Sequence, residues 1–240
     1  MKAAVVVFPG SNCDHDALHA LGSVFGIPTT AIWHGDTILP PVDLVVLPGG
    51  FSYGDYLRSG AIARFSPIMQ AVASHAAAGR PLLGICNGFQ VLCEAGLLPG
   101  ALLPNASLSF LCRDVFLRTD NRDSGFTCGI PEGKLLRVPI AHGDGRFSAD
   151  EDTLHRLEGE GQVAFRYASP EGHVVSEPAA PTDPEWNPNG SQRSIAGVFN
   201  ASRNVLGLMP HPERAVEAAL GSVDGRLVFE SLLAAAGRGA

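Results

Sequence analysis

The chain has few charged residues and no long apolar run. Charged residues make up 17% of its 240 positions, against about 25% in an average soluble domain. Asp and Glu total 24 and Lys and Arg 17, so the net charge is −7, which excludes nucleic-acid binding through clustered positive charge. No segment approaches about 18 consecutive apolar residues, so we expect no membrane span. The apolar run at residues 3–8 ends at Pro9-Gly10 and is too short for the core of a signal peptide.

Cysteine is present, but it lacks the spacing that disulfides and zinc sites need. The cysteines are five in number, without a C-x-x-C pair, and they are Cys13, Cys86, Cys93, Cys112 and Cys128. An odd, scattered set excludes a disulfide framework and a structural zinc site. We therefore expect no metal and a reducing compartment, most simply the cytoplasm. One of these thiols could then serve as a nucleophile.

Nucleotide-binding motifs are also missing. The chain contains no G-x-G-x-x-G sequence. Gly49 and Gly54 have the glycine spacing of a phosphate-binding loop, but Asp55 stands where that loop carries lysine. We therefore expect no nucleotide site and no cofactor on this chain.

Turn-forming residues are abundant, and they separate apolar segments. The 28 glycines and 18 prolines exceed the average shares of about 7% and about 5%, and 45% of the chain is hydrophobic. Apolar strands at residues 3–8, 42–47 and 81–85 alternate with helical patterns at residues 14–25, 66–78 and 89–95. This order predicts an α/β protein with an open, mostly parallel sheet and helices on both faces.

The second half of the chain has shorter apolar segments. Residues 111–117, 135–140, 163–167 and 195–199 have strand patterns without long helices between them, and residues 183–191 have the composition of a loop. We expect these strands to form an antiparallel extension, followed by a closing helix at 221–236. Because no repeat or linker composition occurs, residues 1–240 are predicted to form a single domain.

Cys86 lies in the sequence Gly84-Ile85-Cys86-Asn87-Gly88, between the third predicted strand and the helix that follows it. This is the G-x-nucleophile-x-G arrangement of a nucleophile elbow, with cysteine in place of serine. Such a turn strains the backbone, crowds the flanking positions and places the thiol at a helix N-terminus. The Asn87 amide is then free to donate to an oxyanion. The alternative for a free cysteine is a small buried core residue, which we assume for Cys93.

A thiol nucleophile needs a base, and His211 is the best candidate. It lies in Pro210-His211-Pro212-Glu213 after an apolar strand. In an extended chain Glu213 projects to the same side as His211, so it can orient the imidazole towards Cys86. His142, in a turn-rich segment, is the second candidate for the base. The other histidines are predicted to lie on the surface: His15, His19, His34, His75, His155 and His173.

A paired-glycine turn, Gly49-Gly50, follows the second predicted strand. The carboxyl ends of parallel strands form the binding site of an open α/β sheet, and glycines let backbone amides approach a ligand there. An ordinary tight turn is the alternative.

Together these elements resemble the class I (triad) glutamine amidotransferases. Longer stretches are similar to the stand-alone glutaminase subunits of phosphoribosylformylglycinamidine synthase: Pro9-Gly10-Ser11-Asn12-Cys13-Asp14, Gly49-Gly50-Phe51-Ser52-Tyr53-Gly54-Asp55-Tyr56-Leu57-Arg58, Pro139-Ile140-Ala141-His142-Gly143, Asn187-Pro188-Asn189-Gly190-Ser191 and Gly207-Leu208-Met209-Pro210-His211-Pro212-Glu213-Arg214. The resemblance covers the chain from its first strand to its last helix, and it implies a flavodoxin-like fold. Asp144, where the family usually has Glu, and residues 168–170 depart from the pattern.

The resemblance also implies roles for named residues. Cys86 would attack the side-chain amide of glutamine, His211 would move the protons, and Glu213 would orient His211. The Gly50 and Asn87 amides would hold the oxyanion, and Gln90 would contact the substrate.

The implied partners are a large synthetase subunit, which would bind ATP and Mg and use the ammonia to make formylglycinamidine ribonucleotide in purine synthesis, and a small bridging subunit. A free-standing cysteine hydrolase of γ-glutamyl amides or peptides would share the triad without needing a partner. A non-catalytic interaction module would lack a member of the triad.

Overall fold

A nine-stranded mixed sheet forms the centre of the molecule in a computed structural model that describes residues 1–174 and 185–237. The predicted loop at 183–191 therefore lies partly outside the described residues. The strands are β1 (Ala3–Val7), β2 (Thr29–Trp33), β3 (Leu44–Leu47), β4 (Leu82–Ile85), β5 (Ala101–Leu103), β6 (Leu111–Thr119), β7 (Leu135–His142), β8 (Arg146–Ser148), β9 (Val163–Ala168), β10 (Ile195–Phe199) and β11 (Val205–Leu208). The α-helices are α1 (Asp14–Leu18), α2 (Ile68–Ala77), α3 (Asn87–Glu94), α4 (Glu151–Gly159) and α5 (Arg226–Gly237), and π-helical turns at His19–Val24 continue α1.

Five strands form the parallel half of the sheet, in the order β2-β1-β3-β4-β11. The predicted strands β1, β3 and β4 are buried along almost their whole length, as expected for strands covered on both faces. The sequence analysis missed β2. This edge strand buries only Ile32, so it lacks the apolar pattern that marked its neighbours.

The remaining four strands extend the sheet antiparallel, in the order β10-β9-β6-β7. This confirms the predicted extension. Two details differ: β5 and β8 form a separate small sheet, and α4 is a nine-residue helix where none was expected. Because α4 buries only Leu154 and Leu157, its start is marked mainly by Asp150, whose side chain accepts from the Thr153 N–H at 2.7 Å.

The closing helix begins at Arg226, later than predicted. Gly221 ends a preceding turn in the left-handed region at φ 93°, and a side chain at Gly225 would overlap the carbonyl oxygen of Pro212. The segment between the two glycines is therefore a close-packed turn. Among the helices of the described ranges, none has both the length and the apolar character needed to cross a bilayer.

The topology brings distant segments to one edge of the sheet. β1, β3, β4 and β11 run parallel, so the segments that follow them, near residues 9–13, 48–55, 86–90 and 209–214, meet at the carboxyl ends of the strands. In open α/β sheets ligands bind at this edge. The fold therefore assembles the predicted site residues from four separate parts of the chain.

Candidate active site

Cys86 occupies a strained turn between β4 and α3. Its backbone lies at φ 49° and ψ −106°, a conformation that non-glycine residues seldom adopt. The flanking glycines are required by packing. A Cβ at Gly84 would lie 2.8 Å from the carbonyl carbon of Gly88, and a Cβ at Gly88 would overlap the carbonyl oxygen of Leu47. The elbow geometry is therefore present, with the thiol 4% exposed at the start of a helix.

His211 and Glu213 form a buried pair at the end of β11. The Nδ1 of His211 lies 2.7 Å from Oε1 of Glu213, and both side chains are almost completely buried. The sequence analysis expected an extended chain here, but Pro212–Arg214 is a single 3₁₀ turn. This turn, instead of an extended chain, places the Glu213 carboxylate against the His211 imidazole. The Nε2 of His211 has no hydrogen-bond partner in the described part of the chain.

The environment of His211 favours its protonated form. Burial disfavours charge on the imidazole, but the carboxylate of Glu213 and the adjacent Cys86 sulfur outweigh it and raise the pKa of His211 to about 10. Because Nδ1 is held by Glu213, the proton of the thiol can pass only to Nε2. The three groups thus have the relation of nucleophile, base and orienting acid.

The Gly49-Gly50 turn follows β3 and packs against His211. Gly50 has φ 133°, and a Cβ there would lie 2.7 Å from the backbone nitrogen of Asn12. A Cβ at Gly49 would lie 2.7 Å from Cε1 of His211. Only glycine fits either position, so the backbone of this turn can reach the space beside Cys86.

Asn87 and Gln90 connect this turn to the elbow. Asn87 accepts from the backbone N–H of Ser52 at 3.1 Å and donates to Oε1 of Gln90 at 2.8 Å. Gln90 in turn donates to the carbonyl oxygen of Asp144 at 2.5 Å. Both side chains are buried and hold neighbouring loops together, and Gln90 also lines the cavity described next.

Cys86 opens into a small cavity of about 160 Å³. Five polar side chains line it with the thiol: Asp55, Ser59, Gln90, His142 and Asp144. The rest of the wall consists of Gly50, Ala141, Gly143 and two aromatic residues, Phe51 and Phe110. Larger depressions elsewhere on the surface contain neither Cys86 nor His211. This cavity is the candidate substrate site.

The family of the chain follows from comparison with known proteins. Residues 1–226 match the sequence model of the CobB/CobQ-like glutamine amidotransferase domain. Over 97% of this chain and 95% of each relative, the chain is 57% identical to phosphoribosylformylglycinamidine synthase subunit PurQ of Salinibacter ruber and 55% identical to that of Moorella thermoacetica. The chain belongs to the PurQ family of glutamine amidotransferases.

Solved structures agree with the fold of this amidotransferase. A chain of the PurLQS structure from Thermotoga maritima superposes with a TM-score of 0.82 at 45% identity, covering 97% of both chains. Another glutamine amidotransferase from Thermotoga maritima gives a TM-score of 0.54 at 17% identity, with 97% of this chain and 90% of that chain covered. The second likeness concerns the fold alone.

His142 lies in the same cavity of the amidotransferase but has a different environment from His211. Its Nδ1 is 3.0 Å from the amide oxygen of Asn105, with no carboxylate as partner. Burial, with a smaller effect of His211, lowers the pKa of His142 to about 3. His142 is therefore neutral, and the acid–imidazole pair forms at His211.

Another histidine prediction was wrong. His75 is 6% exposed rather than on the surface, and its Nε2 lies 3.0 Å from the carbonyl oxygen of Pro81. The face of helix α2 that carries His75 is packed towards the sheet. The helical pattern in the sequence did not show that this face is buried.

The sequence analysis missed Cys13, which lies behind the His211–Glu213 pair. Its sulfur accepts from Nη2 of Arg214 at 2.9 Å and donates to Oδ1 of Asn12 at 3.2 Å. Burial raises the pKa of the Cys13 thiol to about 12 despite the nearby guanidinium. A neutral thiol therefore packs the far side of the triad. Its position after β1, at the same sheet edge as Cys86, was the available signal.

Cys13, His211 and Glu213 could also be considered as metal ligands. One ligand atom from each lies within 4.8 Å of the others. However, Arg214 brings its positive charge to the Cys13 sulfur, and His211 Nδ1 is already bonded to Glu213. The donor set is therefore a poor fit for a cation, and no site of this kind enters the mechanism.

Proposed function

We propose that this chain is the glutaminase subunit of phosphoribosylformylglycinamidine synthase. It hydrolyses L-glutamine and supplies the ammonia to a synthetase subunit that converts formylglycinamide ribonucleotide to its amidine in purine synthesis. The observation that carries the proposal is the elbow thiol of Cys86, which lies beside the buried His211–Glu213 pair and opens into one small cavity. The names of the relatives, which are subunits of this synthase, indicate which glutamine amidotransferase it is.

The first half of the reaction forms a thioester. Cys86 Sγ attacks the side-chain carbonyl carbon of glutamine while the proton shared by the Cys86–His211 pair is held on Nε2 of His211. The negative oxygen of the tetrahedral intermediate accepts hydrogen bonds from the backbone amides of Gly50 and Asn87, each worth about 3–4 kcal/mol in comparable sites. His211 then protonates the nitrogen, the C–N bond breaks, and ammonia leaves a γ-glutamyl thioester on Cys86.

The second half regenerates the thiol. A water molecule loses its proton to Nε2 of His211 as its oxygen attacks the thioester carbonyl. The same two amides hold the oxyanion, the C–S bond breaks, and the sulfur recovers its proton from His211. Glutamate is released. Glu213 keeps Nδ1 of His211 engaged throughout, so Nε2 is the atom that exchanges the proton.

The ammonia is used on other subunits of the complex. We assign ATP and Mg to the large synthetase subunit, and we expect a small third subunit to bridge the two. A solved complex named PurLQS contains the structural relative of this chain, which supports an assembly of this kind. We place the complex in the cytoplasm, where the nucleotide substrates of purine synthesis are made. Residues 1–240 then act as a single glutaminase domain.

A glutamate-release assay tests the proposal. The chain is assayed alone and with the synthetase subunits and their nucleotide substrate, beside the variants Cys86→Ala and Cys93→Ala. We expect weak activity alone, strong stimulation by the partners, and loss of at least about 10³-fold in Cys86→Ala only. Cys93, on the same helix and outside the cavity, controls for the loss of a thiol.

Two outcomes would contradict the proposal. Release of glutamate by Cys86→Ala at the parent rate would show that Cys86 is not the nucleophile. Full activity without partners would favour the free-standing hydrolase of γ-glutamyl compounds.

A further inference from the structure

Two carboxylates share the cavity in front of Cys86. Asp55, which follows the Gly49-Gly50 turn, and Asp144, which follows β7, both line it. Ser59 lies in the same wall, and its hydroxyl donates to Oδ2 of Asp144 at 2.8 Å. Asn87 donates to Oδ1 of Asp55 at 3.3 Å. The glutaminase mechanism above uses neither carboxylate.

In the described part of the chain, the side chains that donate to these two carboxylates are uncharged. The residues that line the cavity include no lysine or arginine. Arg58, three residues after Asp55 in the sequence, is paired with Glu94 at 2.5 Å, and Arg146, two residues after Asp144, does not line the cavity. Burial, and then the charge of Asp144, raise the pKa of Asp55 to about 6. Holding two partly buried negative charges close together costs free energy. The stability of the fold alone therefore does not explain why both carboxylates are there.

The backbone around Asp55 is also strained. Tyr53 and Asp55 have φ values of 54° and 55°, in the left-handed region that favours glycine. In this conformation the side chain of Asp55 lines the cavity. Strained residues of this kind are concentrated at binding and catalytic sites.

An independent observation shows that the cavity offers hydrogen-bond acceptors. His142 is 2% exposed, lines the cavity, and has no partner at Nε2 in the described part of the chain. Asn105 determines its tautomer. The Nδ2 of Asn105 donates to the carbonyl oxygens of Ser109 and His142, so its oxygen must accept from Nδ1–H of His142. Nε2 is therefore an unprotonated acceptor, and a ligand with several N–H donors suits this cavity.

We propose that Asp55, supported by Asp144 and Ser59, binds the α-ammonium group of L-glutamine. The ammonium carries one positive charge and three N–H donors, which match two carboxylates that lack a cation. The pair thereby selects an α-amino acid amide over a simple amide of the same length. This inference rests on the proposed glutaminase function, because that function places glutamine in the cavity.

The test compares two substrates on the same protein. Glutamine and glutaramic acid, which has the same amide and carboxylate but no α-amino group, are assayed with the complete complex. We expect the parent to prefer glutamine by at least about 10-fold in kcat/KM, as a charged hydrogen-bonded pair would give. In Asp55→Asn, kcat/KM should fall for glutamine and remain unchanged for glutaramic acid, so that the preference disappears.

The controls separate recognition from structural damage. Asp152→Asn, an exposed aspartate on α4, should retain the full preference. A loss that is equal for both substrates in Asp55→Asn would show a structural role and overturn the inference. If Asp55→Asn does not fold, Asp144→Asn gives the same test, with a smaller expected loss of preference.

The proposed function and the inference fail in different ways. If the parent does not release glutamate from glutamine, the glutaminase function itself is wrong. If the parent is active and both variants keep the parent's preference for glutamine, only the role of the carboxylates is wrong.

Discussion

At His211, burial and charge act in opposite directions on one imidazole. Burial favours the neutral ring, while the Glu213 carboxylate 2.7 Å away and the Cys86 sulfur favour the protonated ring, and the charges prevail. At His142, which has an amide partner instead, burial prevails and the ring is neutral. Two histidines close to Cys86 thus have opposite properties because their partners differ. Of the two rings, only His211 holds a proton near neutral pH.

Replacing Glu213 by glutamine should separate catalysis from binding. Glu213→Gln removes the charge that holds the proton on His211 and allows the wrong tautomer. We expect kcat to fall by about 10²–10⁴-fold, with little change in KM for glutamine. Steady-state glutamate release, with and without the partner subunits, measures both constants. A rise in KM at unchanged kcat would show that Glu213 serves substrate binding instead.

The same variant should change how stability depends on pH. The pKa of His211 is about 10 in the folded chain and about 6.5 when unfolded. Its contribution is therefore complete below pH about 6.5 and is lost as pH rises through about 10. The difference in unfolding free energy between the parent and Glu213→Gln should be largest at pH about 6.5 and below, and shrink as the pH rises towards 10. Denaturant unfolding at several pH values would measure this trend, and a constant difference would contradict it.

At the scale of elements, turns from different strands are packed directly against one another. The Gly49-Gly50 turn after β3 contacts His211 after β11, and Gly88 in α3 contacts Leu47 at the end of β3. Side chains would force these segments apart. The glycines at this edge are therefore required by close approach as well as by backbone angles.

Gly49→Ala should lower activity without unfolding the chain. The added Cβ would lie 2.7 Å from Cε1 of His211 and 3.1 Å from the sulfur of Cys13, so the imidazole must shift. We expect a loss of at least about 10²-fold in kcat, since catalysis is sensitive to small displacements. Gly22→Ala, where a Cβ meets nothing within 4 Å, is the matched control and should retain the parent kcat. Equal activities of the two variants would show that the turn tolerates a side chain.

The success of element prediction depended on burial. The strands β1, β3 and β4 were predicted because both of their faces are covered and their sequences are continuously apolar. The edge strand β2 and the helix α4 were missed because most of their residues face solvent. Sequence patterns record which face of an element is buried, so an element with little buried surface leaves a weak pattern.

At the scale of the whole molecule, exposed apolar side chains gather around the mouth of the cavity. Phe51 and Phe110, with ring centroids 6.3 Å apart, line the cavity, and both are exposed. Tyr56, Leu57 and Leu108, from the same two segments, are 75%, 90% and 84% exposed. A group of exposed apolar side chains indicates an interaction surface. Because this apolar group borders the cavity that contains Cys86, we expect the synthetase subunit to cover it.

Charged substitutions at the mouth should weaken the complex. Leu57→Asp and Leu108→Asp would bury a charge against the partner, so we expect binding to weaken by about 10-fold or more and stimulation by the partner to fall. Ile38→Asp, at a residue 78% exposed and away from the cavity, is the matched control. Sedimentation or calorimetry measures binding, and the activity of the isolated chains shows whether the variants fold. Unchanged binding of both leucine variants would place the partner elsewhere.

The nature of the active site and its position in the fold could be predicted from the order of the amino acids. The elbow around Cys86, the His211-Pro212-Glu213 sequence and the Gly49-Gly50 turn are local patterns, each within a few residues, and buried strands carry their own apolar signal. Three spatial pairings could not be inferred in this way: Cys13 with His211, Asp55 with Asp144, and His142 with Asn105. The partners in each pair are far apart in the chain. The charge and protonation of their side chains depend on distances and burial, which are set only when the sheet brings its strand ends together.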